Sequence, residues 1–239
     1  MKYSRPIKAI MERELARIAG RSLDGPTRLA GEIGRLHSAV QALESVALNR
    51  NPSDNEAMHS KKTHEAGQRL ARAVEATRQR SNEIVNTHGE RLRGELLSRT
   101  GLQQPTTLEG IMQQSELRAA VRSMDEQTRS DVLRDAVRAK DSETLSALFN
   151  ASPLVSGLNP NLVRDMRANY EQAVAPEVVE ELSVLLEVDE ALQAATRTAG
   201  KVADDAQDER AMRAFMEAQS AAEAAQNSFD QAINGGEFE

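Results

Sequence analysis

The four histidines are the first candidates for chemistry, because imidazole can bind a metal ion or transfer a proton. His59 and His64 stand five residues apart in the stretch "HSKKTHE". On a helix this spacing is a rotation of ~500°, so the two rings lie on different faces, whereas a zinc-binding pair needs one face. The chain has no cysteine, which excludes thiolate ligands and cysteine nucleophiles. We interpret His37, His59, His64 and His88 as solvated helical residues.

The acidic residues and the glycines do not form a recognisable catalytic motif. Charged residues make up 28% of the chain, but no acidic pair lies in a glycine-flanked apolar loop, where burial would raise the pKa of a carboxyl group. The stretches "GEIG" and "GELLSRTG" match neither a P-loop nor a dinucleotide fingerprint, and the sequence has no G-x-S-x-G. We expect a protein that is not an enzyme, with no catalytic, cofactor-binding or metal-binding residues.

The composition predicts an all-α fold of long, coiled-coil-like helices around a small helical module. Apolar residues form 39% of the 239 residues, with no tryptophan, two tyrosines and four phenylalanines. A core of aliphatic residues and alanine suits helices packed on helices, and no stretch has a convincing strand pattern. Charged residues interrupt the N-terminal sequence before any long apolar run forms. No run of the sequence approaches the ~18 apolar residues of a membrane span. The sequence therefore predicts neither a signal peptide nor a membrane segment.

The N-terminal part of the chain is predicted to form long helices. Pro6 and Pro26 mark helix starts, and Gly20 marks a helix end between them. Residues 56–99 contain no proline and are predicted to form a third helix, with fraying or a break near Gly67. We expect residues 1–101 to be an arm of long antiparallel helices.

Two further segments follow the arm. Residues 102–175 carry short, strongly capped helices and are predicted to form a compact module. Thr106 and Ser123 have capping-box spacing, and Asp141 is a third cap. Residues 176–239 are predicted to form a long acidic C-terminal helix with a bend in the polar stretch "GKVADDAQDERA".

The charge changes sign along the chain. Residues 1–99 carry 18 Lys and Arg against 12 Asp and Glu, whereas residues 176–239 carry four against 15. A protein that binds polyanions does not normally place such an excess of acid on its longest helix, so the sequence disfavours nucleic acid as a specific ligand. Only six of the 30 cationic residues are lysines. Because arginine makes directional pairs with carboxylates, this bias suits ion pairing between proteins.

An apolar pattern in the last helix gives the clearest indication of function. The terminal seam follows a three-four alternation that Gln219 and Gln226 continue, and its apolar members are Met212, Phe215, Ala222, Phe229 and Ile233. Such a seam is typical of a helix that packs on another helix, and glutamine within it favours a weak or register-setting contact. Its acidic neighbours would repel each other in a parallel homodimer, so an arginine-rich partner surface suits it better.

A second seam lies in the second predicted helix, and its members are Leu29, Ile33, Leu36, Val40 and Leu43. We expect the two seams to make contacts with other chains, in a homo-oligomer or against a different protein. The alternative is that the terminal seam folds back against the second seam and closes a bundle within one chain.

One stretch imitates a DNA-binding helix-turn-helix, "ETLSALFNASPLVSGLNPNLV" at residues 143–163. It gives the alternative hypothesis of a cytoplasmic DNA-binding regulator. Two features oppose this hypothesis. Ala151 or Ser152 occupies the turn position that favours glycine, and no Lys or Arg occurs from Asp141 to Val163, although phosphate contacts dominate affinity for DNA. We interpret the stretch as a packed corner.

The middle block, "SMDEQTRSDVLRDAVRAKDSETLSALFNASPLVSGLNPNLVRDM", resembles uncharacterised proteins encoded beside structural genes of tailed bacteriophages. A similar run of short helices, a "D-x-E-T-L-x-A-L" helix and an "S-G-L" loop recur in them. The resemblance implies a role in the virion or its assembly, as an internal scaffold, a head–tail accessory or an ejected internal protein. It implies portal, coat or tail components as partners, and assembly in the host cytoplasm. Scaffolds often present a basic C-terminal helix, whereas this one is acidic.

The sequence therefore predicts a non-enzymatic structural or assembly protein of a phage particle that acts through homo-oligomerisation or docking. The DNA-binding regulator is one alternative. Another is an extended adaptor that becomes ordered only against a protein partner.

Overall fold

A computed structural model describes residues 4–207 and 209–234, and these residues form helices without any strand. The predicted all-α class is confirmed. The helices of the described residues are α1 (Ser4–Ile18), α2 (Asp24–Leu48), α3 (Glu56–Thr100), α4 (Leu108–Ser123), α5 (Glu126–Ala139), α6 (Ser142–Phe149), α7 (Pro153–Ser156), α8 (Pro160–Val174), α9 (Pro176–Ala206) and α10 (Glu209–Asn234).

The end of α1 and the start of α6 follow local sequence signals at the predicted positions. α1 is followed by Gly20 at φ +75°, a left-handed conformation that glycine adopts without steric cost. At the start of α6, a carboxylate oxygen of Asp141 accepts a hydrogen bond from the Thr144 N–H at 3.1 Å. This bond satisfies one of the amide groups that have no partner in the first turn of a helix, so Asp141 is an N-cap as predicted.

Replacing Asp141 with alanine is expected to lower the free energy of unfolding by about 1 kcal/mol at neutral pH. Hydrogen bonds from Thr144 hold the pKa of the Asp141 carboxyl below its ordinary value of 3.8. Because the folded-state pKa is lowered, the contribution is present above 3.8 and disappears as the pH falls through the folded-state pKa. Urea unfolding at several pH values measures this, with Asp141→Asn, which keeps an acceptor, as the control. A difference from wild type that persists in acid would contradict the capping account.

The other two predicted caps lie one or two residues from the observed ones. The N-cap of α4 is Thr107 instead of Thr106, and the N-cap of α5 is Asp125 instead of Ser123. The Asp125 carboxylate accepts the Thr128 N–H at 3.0 Å, whereas the Ser123 hydroxyl donates to a carbonyl of its own helix at 2.7 Å. A carboxylate is the stronger acceptor for a helix N-terminus, which explains the shift.

The helices form two compact units. Unit 1 contains the described residues up to Val85 and those from Glu187 onward, and unit 2 is Asn86–Leu186. The unit boundaries differ from the predicted segment ends at residues 101 and 175. The reason is that α3 and α9 are each long enough to contribute residues to both units.

Unit 1 is built around α2. The second seam of α2 is buried within the chain, because Leu29, Ile33 and Val40 are 0% exposed and Leu36 and Leu43 are 1% and 4% exposed. α1 packs along α2. Aliphatic and alanine side chains of the part of α9 that lies in unit 1 are also buried, among them Val188, Ala195 and Ala203.

α3 is a single helix of 45 residues, so the expected break near Gly67 is wrong. Gly67 instead permits a close helix contact inside unit 1. A Cβ atom at this position would lie 3.0 Å from the Ala206 Cβ and 3.1 Å from the Ala203 carbonyl oxygen of α9. The absence of a side chain therefore brings two backbones together, a benefit that outweighs the low helix propensity of glycine.

Unit 2 has its own apolar core from four helices, α4, α5, α6 and α8, and from the segments after α3 and α7. The buried members of this core are Leu102, Val121, Leu133, Ala136, Leu145, Leu148, Phe149, Leu158, Val163 and Tyr170. The Tyr170 hydroxyl donates to the Thr100 carbonyl at 2.7 Å, which satisfies a carbonyl at the C-terminal end of α3. Burial raises the pKa of Tyr170, and the charge of Asp141 raises it further.

The predicted long C-terminal helix is interrupted. α9 ends at Ala206 and α10 begins at Glu209, inside the polar stretch of residues 200–211 where a bend was predicted. Val202 and Ala203 are the last buried residues of α9, and the helix ends three residues after them.

Candidate functional site

The histidines are less solvated than predicted. His37, His59 and His64 are half-buried and His88 is 8% exposed. The ring of His59 lies 3.2 Å from the Ala47 carbonyl oxygen, so it joins α3 to the end of α2. Within the described part of the chain, no three His, Cys, Asp or Glu side chains are grouped so that they could hold a metal ion.

The first half of the terminal seam packs inside unit 1. Phe215 is 9% exposed, and the Lys61 ammonium of α3 lies 4.9 Å from the centre of its ring. This cation–π contact combines the charge with the apolar burial of an aromatic ring. Met212, one turn earlier, is half-buried. Phe215 therefore packs within the chain, but against α3 instead of the second seam of α2 that the intramolecular alternative named.

The second half of the terminal seam is exposed. Every residue from Met216 to Ile233 is exposed, and the two large apolar residues Phe229 and Ile233 each expose 60% of their surface. Ala222, the third seam residue in this part, is exposed as well. We define the distal seam as Ala222, Phe229 and Ile233. Because most of the stability of a protein helix comes from packing of its apolar face, a partner that buries the distal seam would also stabilise the helix.

The positions beside the seam differ in chemistry on its two sides. In a seven-residue repeat, seam positions a and d are flanked by positions g and e. If Met212 and Phe215 are a and d, the exposed g positions are Ala218, Ala225 and Ala232. The exposed e positions are Met216, Glu223 and Asp230. One flank is therefore small and uncharged, and the other changes from apolar to acidic along the helix.

A groove of about 340 Å³ opens beside the first half of α10, lined by His64, Glu209, Met212, Arg213, Met216 and Glu217. Its apolar part comes from the two methionines, whose flexible side chains adapt to the shape of an inserted group. Arg213 pairs with Glu209 at 3.2 Å, and both side chains are 77% exposed, so this ion pair is weak and leaves the arginine accessible.

The two predicted seams therefore differ in their exposure. The second seam, Leu29 to Leu43, lies in the core of unit 1 and is not available to another chain in this fold. The reason is that α1 and other helices of unit 1 cover α2. The distal seam remains exposed and is the candidate docking surface.

Sequence reasoning missed one exposed apolar face in unit 2. Leu108, Ile111 and Met112 of α4 are 74%, 48% and 55% exposed. Their spacing of three and four residues places them on one side of the helix. The same spacing in the sequence would have identified this face, but it says nothing about whether another helix covers it.

The stretch that imitates a helix-turn-helix has a different geometry. α6 belongs to the core of unit 2, with Leu145 and Leu148 each 0% exposed. The helix after its turn, α7, has four residues and ends at Gly157, which has φ +69°. A recognition helix in a DNA groove presents side chains from more than one turn, which four residues do not provide.

Among the helices of the described residues, none combines the length and the apolar character that a membrane span requires.

Comparisons of the chain with protein-family models, with curated proteins and with solved structures found no match.

Proposed function

We propose that this chain is a non-enzymatic assembly protein of a bacteriophage particle, and that it docks through the distal seam of α10. The observation that carries the proposal is the exposure of Phe229 and Ile233, each 60% exposed on a helix with a regular seam. Large apolar residues in helical register on an exposed face are typical of a protein-interaction surface.

The distal seam supplies enough free energy for a specific contact. Full burial of a phenylalanine or isoleucine side chain contributes about 1.5–3 kcal/mol. Part of the gain from Phe229 and Ile233 is offset by the entropy lost on association. We therefore expect a modest affinity from one seam, which suits a protein present in several copies in a particle, where multivalency raises the overall affinity.

The phage particle as the setting rests on the resemblance of residues 123–166 to proteins encoded beside phage structural genes. The proposed partners are virion components, such as portal, coat or tail proteins, and further copies of the chain. The proposed location is the virion, after assembly in the host cytoplasm. The non-enzymatic role is supported by the absence from the sequence of a recognised catalytic motif.

Purified particles of the phage that encodes the chain test this proposal. We expect mass spectrometry to find the chain in mature particles or in assembly intermediates. We also expect most of it to remain bound in concentrated salt, because an apolar contact is not screened. Absence from both kinds of particle would overturn the proposed setting. Salt-induced release together with tight binding to DNA would favour the regulator instead.

A further inference from the structure

We infer that the partner of the distal seam is a second copy of this chain, bound antiparallel. Phe229 of each copy then occupies the groove at Met212 and Met216 of the other copy. This inference rests on the proposed function, because it uses the same surface and names its occupant.

The apolar part of the groove suits an aromatic side chain from the distal seam. The groove of about 340 Å³ has two methionines in its lining, and a thioether next to an aromatic ring is a favourable contact. Phe229 is an exposed aromatic residue 17 positions further along the same helix. When Phe229 lies opposite Met212 of the second copy, Gln219 lies opposite Ala222, so a small residue makes room for the amide.

The charges favour the antiparallel orientation. The distal part of α10 carries the acids Glu223 and Asp230, whereas at the groove end Arg210 and Arg213 balance Glu209 and Glu217, with Lys61 of α3 nearby at Phe215. In the antiparallel register the acidic distal part of one copy lies against the balanced groove end of the other, with Asp230 near Arg213. In a parallel pair the acidic halves lie together and repel each other.

The alanine flank gives an independent argument for the same orientation. In an antiparallel pair the g positions face each other, so Ala218 lies beside Ala225 of the second copy and the helices can approach closely. In a parallel pair g positions face e positions, so the same alanines meet Glu223 and Asp230. Only the antiparallel pair places the small flank against itself.

The size of the contact predicts a weak dimer. The exposed part of the helix, from Met216 to Ile233, is ~27 Å long and ~10–12 Å wide. Two such strips bury roughly 550–650 Å² in total, below the size of a standard stable interface. We therefore expect association to depend on protein concentration.

Sedimentation velocity of the full chain over a wide concentration range tests the inference. We expect a shift from monomer to dimer as the concentration rises. The double substitution Phe229→Asp with Ile233→Asp is expected to raise the dimer dissociation constant at least about tenfold. The matched control is Ala224→Asp with Gln231→Asp, which adds the same charge on the opposite face of α10 and is expected to leave the dimer unchanged.

Charge reversal tests the predicted neighbours. Arg213→Glu is expected to weaken the dimer, and Arg213→Glu combined with Asp230→Arg is expected to restore it, because the pair is then reversed and not removed. If the double variant dimerises as weakly as Arg213→Glu alone, Arg213 and Asp230 are not in contact across the dimer.

Cross-linking tests the orientation, and the absence of native cysteine makes each introduced thiol unique. With a short bismaleimide, a mixture of Ala218→Cys and Ala225→Cys chains is expected to cross-link, and Ile233→Cys alone is expected not to. A parallel pair would give the reverse result and would overturn the inference.

A chain that stays monomeric at every concentration would overturn the inference as well. In that case association with phage particles would still support docking through α10, and its absence would remove the proposed function too.

Discussion

Ile33→Ala is expected to lower the free energy of unfolding by about 2–5 kcal/mol, because it removes most of a fully buried side chain. Ile33 is 0% exposed, as are its seam neighbours Leu29 and Val40. Removing most of the side chain loses its transfer free energy and leaves a cavity that the packed helices of unit 1 fill only in part. Denaturant unfolding followed by circular dichroism measures the loss.

The matched control is Phe229→Ala, which removes a larger side chain from the other seam. Because Phe229 is 60% exposed, its removal is expected to change the stability of the dilute chain by less than about 0.5 kcal/mol. The loss from Ile33→Ala should also be independent of protein concentration. Equal effects of the two substitutions, or a loss that vanishes on dilution, would mean that the second seam is an interface between chains.

The second large effect is expected from a buried carboxylate in unit 1. The Glu32 side chain is 5% exposed. It accepts two hydrogen bonds from Arg80 of α3, at 3.0 Å and 2.8 Å, and one from Arg35 at 2.6 Å. Arg80→Leu removes two of these bonds and leaves a buried charge with fewer donors. We expect this substitution to lower the free energy of unfolding by about 2–3 kcal/mol.

The reverse substitution is expected to cost much less. Glu32→Leu removes the buried charge, and it leaves two arginines that are 68% and 42% exposed and can be solvated by water. A stability loss for Glu32→Leu that equals or exceeds the loss for Arg80→Leu would contradict this reasoning. Calorimetric unfolding of both single variants and of the double variant Glu32→Leu with Arg80→Leu separates the contributions.

The sequence was sufficient to predict the fold class and most helix ends. Hydrophobic periodicity, capping residues, proline and glycine are local signals. Gly20 was therefore correctly placed at a helix end, and Asp141 at a helix start. The polar stretch before Glu209, where a bend was predicted, is where the structure has two helices instead of one. These features depend on neighbours within a few residues, which a sequence displays directly.

Features that depend on distant partners could not be predicted in this way. The two seams have the same three-four spacing, but α2 is covered on its apolar face and the distal part of α10 is not. Gly67 was interpreted as a weak point because its contact with α9 joins residues more than a hundred positions apart. His88 is buried for the same reason, since periodicity within α3 does not reveal which of its polar positions other helices cover.

Incorporation into phage particles tests most directly the proposal that the chain docks through the distal seam of α10. The measurement compares the amount of chain recovered with purified particles for three proteins expressed at equal levels. These proteins are the wild type, Phe229→Asp with Ile233→Asp, and the matched control Ala224→Asp with Gln231→Asp. We predict that only the seam variant is lost from the particles while its circular dichroism spectrum and unfolding midpoint remain those of the wild type. Wild-type incorporation of the folded seam variant would contradict the claim.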